Sequence, residues 1–141
     1  MTSYAMIGLR NFYSENPSKF MELLMQGPPI TYRWLAWRMV GTLLLPKTKG
    51  AYETYLRQGA VESKWSRVID NDVNRTFPFH QFFKSQNGSG QKPLKNVLLV
   101  YSEHNPEVGY CQSMNFIVAF ILMISGSREK EAFWFFAGLL T

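Results

Sequence analysis

A chain of 141 residues that is 46% hydrophobic, 16% aromatic and 18% charged carries enough apolar surface to bury a core, which excludes disordered and collagen-like chains. Its length suits one domain or part of a larger one, not two independent domains. The formal charge is +5, from 15 basic and 10 acidic residues, but the basic residues are scattered singly and form no stripe along which a nucleic-acid backbone could lie, so no nucleic-acid partner is expected.

In chain order, the first predicted helix runs from about Ser18 to Gln26. Asn16 is placed to cap it, Pro17 suits its first turn, Phe20, Leu23 and Leu24 share a face, and Gly27 stops it. After Gly27-Pro28-Pro29, Thr31 to Val40 sets Arg33 and Trp37 four apart with Trp34 beside them, and Gly41 and Pro46 mark the exit. Tyr52, Tyr55 and Leu56 predict a short helix between Lys49 and Arg57, and Val61, Trp65, Val68 and Ile69 another between Val61 and Asp70. Pro78 disfavours helix at the residue before it, so a loop is expected over Phe77 to Phe83. Asn87-Gly88-Ser89-Gly90 reads as a flexible connection. Leu94, Val97, Leu98 and Tyr101 then form a helical face that stops near Asn105-Pro106. Met114, Ile117, Val118 and Ile121 continue as a buried helix, and Ser125-Gly126-Ser127 leads into a last one from Arg128 to Leu140. About seven helices and no period-two strand imply an all-α domain.

That last segment is apolar almost all round and has no polar tail, so the chain is expected to be incomplete at its C-terminus. Phe133, Trp134, Phe135, Phe136, Leu139 and Leu140 are not expected all to face one core, so either self-association through an exposed terminal helix or lower stability than a C-terminally longer chain is expected.

The chemistry is bounded by what the chain lacks. Cys111 is its single cysteine, so no internal disulfide and no metal site are expected, and the cytoplasm is the expected compartment. The N-terminal stretch Met1-Thr2-Ser3-Tyr4-Ala5-Met6 has no export signature. The longest apolar stretch, Phe116 to Ile124, falls far short of the ~20 residues of a membrane span. There is no phosphate loop, no His-Glu-x-x-His and no nucleophile elbow, so self-contained catalysis is not expected. His80 and His104 both lie at turns and suit structural hydrogen bonds, and Cys111 suits inert packing.

Two constellations remain. In Ile69-x-x-Asp72-x-x-Arg75-Thr76-Phe77-Pro78-x-His80, Ile69 anchors a helix whose end holds Asp72 beside Arg75, and Pro78 limits the loop beyond. A guanidinium so held presents the donors needed to stabilise charge on a transferring phosphoryl group. In Val108-Gly109-Tyr110-Cys111-Gln112-Ser113-Met114-Asn115, a glutamine follows a glycine turn at the opening of an apolar helix, its amide free to orient a water, with Tyr110 placed to brace it. Taken by itself, each also suits a plainer role: a surface arginine paired with Asp72, and a solvated glutamine beside a core tyrosine.

Taken together, Gly27-Pro28-Pro29-x-x-x-Arg33-x-x-x-Trp37, Ile69-x-x-Asp72-x-x-Arg75-Thr76-x-Pro78-x-His80-x-x-Phe83 and Gly109-Tyr110-Cys111-Gln112-x-Met114-Asn115 resemble the three signature blocks of the TBC domain of Rab GTPase-activating proteins. The resemblance runs from about Gly27 to the C-terminus, including Glu131-Ala132-Phe133-Trp134. It implies a lead-in helix within residues 1–26 and, over residues 27–141, the N-terminal part of a helical TBC domain. By resemblance, Arg75 would meet the γ-phosphoryl oxygens of GTP on a Rab-type partner, Gln112 would orient the attacking water, and Asp72 and Tyr110 would position these two fingers. The partner would carry the GTP and magnesium, so no cofactor of this chain is implied. Peripheral recruitment to endomembranes fits the same reading. A non-catalytic module that binds its partner without accelerating hydrolysis is the alternative. Ser113 departs from the family pattern, which usually has glycine there.

Overall fold

The computed structural model describes residues 2–44 and 48–141, with side chains outside 2–6, 42–44 and 60–62; Pro46 and the Val61 side chain lie outside the described residues. The described residues form eight helices and no strand: α1 (Thr2–Glu15), α2 (Pro17–Gln26), α3 (Ile30–Leu44), α4 (Ala51–Glu62), α5 (Ser66–Arg75), α6 (Gln91–His104), α7 (Met114–Ser125) and α8 (Glu129–Leu139). The all-α expectation holds.

Helix α6 lies at the centre and packs against α4, α5, α7 and α8. The expected face of Leu94, Val97, Leu98 and Tyr101 is buried, and so are Leu99, Val100 and Ser102. Burial of six apolar side chains at ~1.5–3 kcal/mol each makes α6 a main contributor to the core.

The N-terminal region holds two helices rather than one lead-in helix, because α1 precedes α2 across Asn16 alone. Asn16 makes no side-chain cap, and Gly27 ends α2 with φ +89°. The hairpin is clamped by Phe20, whose ring meets Tyr13 at 5.3 Å and Phe12 at 6.4 Å. Leu23, expected on the Phe20 face, is exposed.

Gly41 does not end its helix. It stays inside α3, where a Cβ would lie 2.6 Å from the Phe135 ring, while a Cβ on Gly138 would lie 2.9 Å from the Gly41 carbonyl oxygen. The two glycines let α3 and α8 approach closely. The break between α4 and α5 falls at Ser63-Lys64-Trp65, so α5 buries Ile69, Asp72 and Val73 while Val68 faces solvent. A carboxylate thus occupies the buried face of α5.

The last helix bears out the expectation that its six large apolar side chains do not all face one core, with the exposure confined to its end. Phe133, Trp134, Phe135 and Phe136 are all buried, and only Leu139 and Leu140 of the six stand exposed. Flanked by α3, α6 and α7, α8 has neighbours on enough sides to cover all four rings. Apolar surface is also open on α7, where Phe116, Ile117 and Phe120 are exposed opposite the buried Val118, Ala119, Ile121 and Leu122. No helix among the described residues is long and apolar enough to cross a membrane.

His104 also departs from expectation. It ends α6 inside a ring of aromatics, with Phe133, Tyr55, Trp134 and Tyr101 at centroid distances of 5.4, 5.5, 6.0 and 6.4 Å. Its Nδ1 has no hydrogen-bond partner among the described residues. Burial pushes the imidazole below its usual pKa, so in acid the unfolded chain binds that proton more readily than the folded one. Stability should therefore be intact above the ordinary histidine pKa of about 6.5 and fall as pH drops through the lowered folded value. Thermal unfolding of the parent and of His104→Phe, compared over about pH 7 to 5, should show a shallower acid-side loss in the variant.

Candidate functional site

The site is built where the end of α5 meets the loop entering α7. Arg75 is the last residue of α5, and its guanidinium turns back on Asp72: Nε donates to Oδ1 at 2.8 Å and an Nη lies 2.7 Å from the same oxygen. The Nε–H is thereby committed to a hydrogen bond and the Nη to an ion pair with the same oxygen, on a side chain that is 53% exposed. Asp72 itself is buried.

The other carboxylate oxygen of Asp72 accepts from the Tyr110 hydroxyl at 2.5 Å. Burial first, and then this bond, raise the phenol above its ordinary pKa, so Tyr110 stays protonated and remains a donor. Tyr110 was expected to brace Gln112. Its hydroxyl reaches the carboxylate that holds the arginine instead.

A second strand of the network passes through two residues that the sequence reading quoted without assigning a role. The Thr76 hydroxyl donates to the Asp72 carbonyl at 2.6 Å, and the Asn115 amide donates to the Thr76 oxygen at 2.7 Å. Asn115 Oδ1 in turn accepts the Ser113 N–H at 3.1 Å. Thr76 and Asn115 are fully buried. The available signal was an asparagine at the head of an otherwise apolar helix, since a polar group buried there must find a partner.

Gln112 lies just before α7, not on it, and is exposed. Its side-chain amide has no hydrogen-bond partner among the described residues. Two left-handed residues set its position. Gly109 has φ +62°, and a Cβ there would lie 2.4 Å from Trp65 Nε1, so only glycine lets this loop close on the α4–α5 junction. Ser113, with φ +87°, immediately precedes α7 without a side-chain cap. Cys111 is exposed rather than packed, while its N–H meets Met114 Sδ at 3.3 Å. His80 makes the structural bond expected of it, Nδ1 accepting the Phe82 N–H at 3.2 Å. No cluster of metal-ligating side chains occurs among the described residues.

The Rab-GTPase-TBC domain profile matches residues 30–141. The chain belongs to the Rab-GTPase-TBC family. Among proteins it is similar to, a TBC domain-containing protein of Schizosaccharomyces pombe is 38% identical over 86% of this chain and 16% of its own length. Growth hormone-regulated TBC protein 1 of Xenopus laevis is 35% identical over 89% of this chain and 37% of its own. The Caenorhabditis elegans Rab GTPase-activating protein eat-17 is 36% identical over 84% of this chain and 13% of its own. The crystal structure of the Chlamydomonas flagellar RabGAP TBC domain superimposes with a TM-score of 0.78 at 30% identity, covering 98% of this chain and 50% of that one. The chain thus spans half of that TBC structure and well under half of each of these relatives.

The two left-handed positions of this TBC domain should respond with opposite signs. Gly109→Ala should destabilise by about 2 kcal/mol or more, from the left-handed strain and the Trp65 clash together. Ser113→Gly should stabilise by up to about 1 kcal/mol, because strain relief outweighs the added freedom of the unfolded chain. Denaturant midpoints of the two variants measure both.

Proposed function

We propose that this chain is a GTPase-activating protein for a Rab-type small GTPase, with Arg75 and Gln112 entering the partner's nucleotide site. One observation carries the reading: a buried carboxylate fixes Arg75 through one edge of its guanidinium while about half of the side chain stays exposed to solvent, 53% by area. A guanidinium held this way needs little reorganisation to meet an anion. Similarity to the Rab GTPase-activating protein eat-17 and to the flagellar RabGAP supports the class of partner.

In the proposed step a water attacks the γ-phosphorus of GTP on the partner, and the bond from that phosphorus to the bridging oxygen breaks, giving GDP and phosphate. Negative charge grows on the oxygens around the broken bond, where the free edge of Arg75 would stabilise it. The Gln112 amide would hold the water in line. Asp72 positions Arg75, and Tyr110 positions Asp72. An arginine finger supplied in trans accelerates hydrolysis by ~10³ to 10⁵, or roughly 4 to 7 kcal/mol. The partner brings GTP and its magnesium, so the chain itself needs no cofactor.

Single-turnover GTP hydrolysis across a panel of purified Rab proteins tests this reading. Arg75→Lys should lose about 10³-fold of the acceleration, because a point charge cannot reproduce the planar fork, yet it keeps a cation beside the buried Asp72 and so spares the fold. Gln112→Ala should lose turnover far more than binding, since orienting water matters mainly in the transition state. Full acceleration in either variant would overturn its assigned role. Binding without acceleration by the parent chain would establish the non-catalytic alternative.

A further inference from the structure

Phe79 is 98% exposed, the most exposed large apolar side chain among the described residues. It is not displayed from a slack loop. The His80 N–H donates to the Phe77 carbonyl at 2.9 Å, closing a turn over Pro78 and Phe79, and the N–H groups of Phe83 and Lys84 both donate to the His80 carbonyl at 2.9 Å. The Gln91 amide holds the Phe83 carbonyl at 2.9 Å. A Cβ on Gly90 would lie 2.1 Å from the Phe82 carbonyl oxygen, so the far side of the segment is closed as well. Proline fixes one torsion of the turn.

The turn is also strained. Phe77 has φ +44°, a region that a bulky residue rarely adopts and that the following proline makes less favourable still. Strain of this kind persists where surrounding contacts over-determine it, and it concentrates at functional sites. The contacts here are rings: Phe77 meets Phe116 of α7 at 5.3 Å and Phe83 at 6.1 Å. Phe83 is fully buried, while Phe77 and Phe116 are 37% and 40% exposed. Phe79 stands two residues beyond Phe77 in the same turn, fully exposed.

Its place in the chain determines what can cover it. Phe79 follows Arg75 by four residues and Phe116 follows Gln112 by four, and four residues span at most ~14 Å. The touching rings of Phe77 and Phe116 therefore join the element that carries Arg75 to the element that carries Gln112. A protein that admits both side chains to one phosphate site has these rings within reach of its surface. Apolar rings presented on ordered backbone are the usual form of an interface anchor, because little motion is lost when they are buried.

We propose that Phe79, backed by the Phe77–Phe116 pair, inserts into an apolar recess on the partner GTPase beside its nucleotide pocket. The ring sets affinity and the choice among GTPases and takes no part in bond breaking. This rests on the function proposed above, and it continues that interface outward from the two fingers.

The test measures the Kd of the chain for each member of the Rab panel loaded with a non-hydrolysable GTP analogue, together with single-turnover hydrolysis at saturating chain. For the best-bound GTPase, Phe79→Ser should raise Kd by about 10- to 100-fold, equivalent to ~1.4 to 2.8 kcal/mol, while the rate at saturation changes by less than about threefold. Phe79→Leu should restore most of the binding. Because the side chain is solvent-exposed, melting temperatures of both variants should match the parent. Arg75→Lys should behave oppositely, losing rate with little change in Kd. An unchanged Kd in Phe79→Ser overturns the anchor, and the activator reading survives if Arg75→Lys still loses its rate. Retained rate in Arg75→Lys overturns the activator reading whatever Phe79 does. Loss of self-association in Phe79→Ser, read by sedimentation with the GTPase Kd unchanged, would assign the ring to a second copy and overturn the proposal. Absence of binding to every GTPase by the parent chain would overturn both.

Discussion

The site depends on one buried carboxylate. Asp72 reaches in three directions, to Arg75 through one oxygen, to Tyr110 through the other and to Thr76 through its carbonyl. A carboxylate taken out of water and left unpaired would be strongly destabilising, so its partners are obligatory rather than ornamental. The bonds to Arg75 and Thr76 are local, but two bonds of the network join separate parts of the chain, since Asp72 and Tyr110 stand 38 residues apart and Thr76 and Asn115 stand 39 apart. Satisfying Asp72 therefore sets the end of α5 against the entrance to α7. The two candidate fingers inherit their relative placement from that requirement.

Glycines supply the close approaches that helices with larger side chains would forbid. Gly41 and Gly138 bring α3 and α8 together, and Gly109 lets the loop before Tyr110 close on Trp65. The charged groups around the core perform a similar joining role at lower energy. Tyr52 and Asn96 both hold Glu129, joining α4 and α6 to the start of α8, and Arg38 of α3 meets Glu131 at 3.1 Å. Such pairs at partly exposed positions contribute up to about 1 kcal/mol each. They fix the orientation of α8, and the buried aromatics supply most of its stabilisation.

Local pattern carried far in this sequence and then stopped for identifiable reasons. All four positions expected on α6 are buried, because a helix packed on many sides keeps any apolar face it has. The Asp72–Arg75 pair was readable from its one-turn spacing, but the Tyr110–Asp72 bond was not, since it is made by tertiary closure. Helix α1 escaped detection because it carries only a weak apolar stripe and is held by the Phe20 clamp of its neighbour. Gly41 was read as a stop from its own torsional freedom, although its missing side chain serves the partner helix. The burial expected of Ile117 failed for a related reason: α7 is apolar around most of its surface, and periodicity cannot tell which side the neighbouring helices will cover.

Ser113 brings these themes together. A serine at φ +87° holds a conformation that costs an L-residue about 1 to 2 kcal/mol, and glycine would hold it freely. The position tolerates serine because its backbone groups are not left to fend for themselves: the N–H is taken by the buried Asn115 amide and the carbonyl accepts the Phe116 N–H at 3.1 Å. Asn115 is held through Thr76 by the same residue that holds Arg75. The network that orders one proposed finger thus offsets the strain next to the other, and the two elements are coupled through buried polar bonds although Arg75 and Gln112 both face solvent.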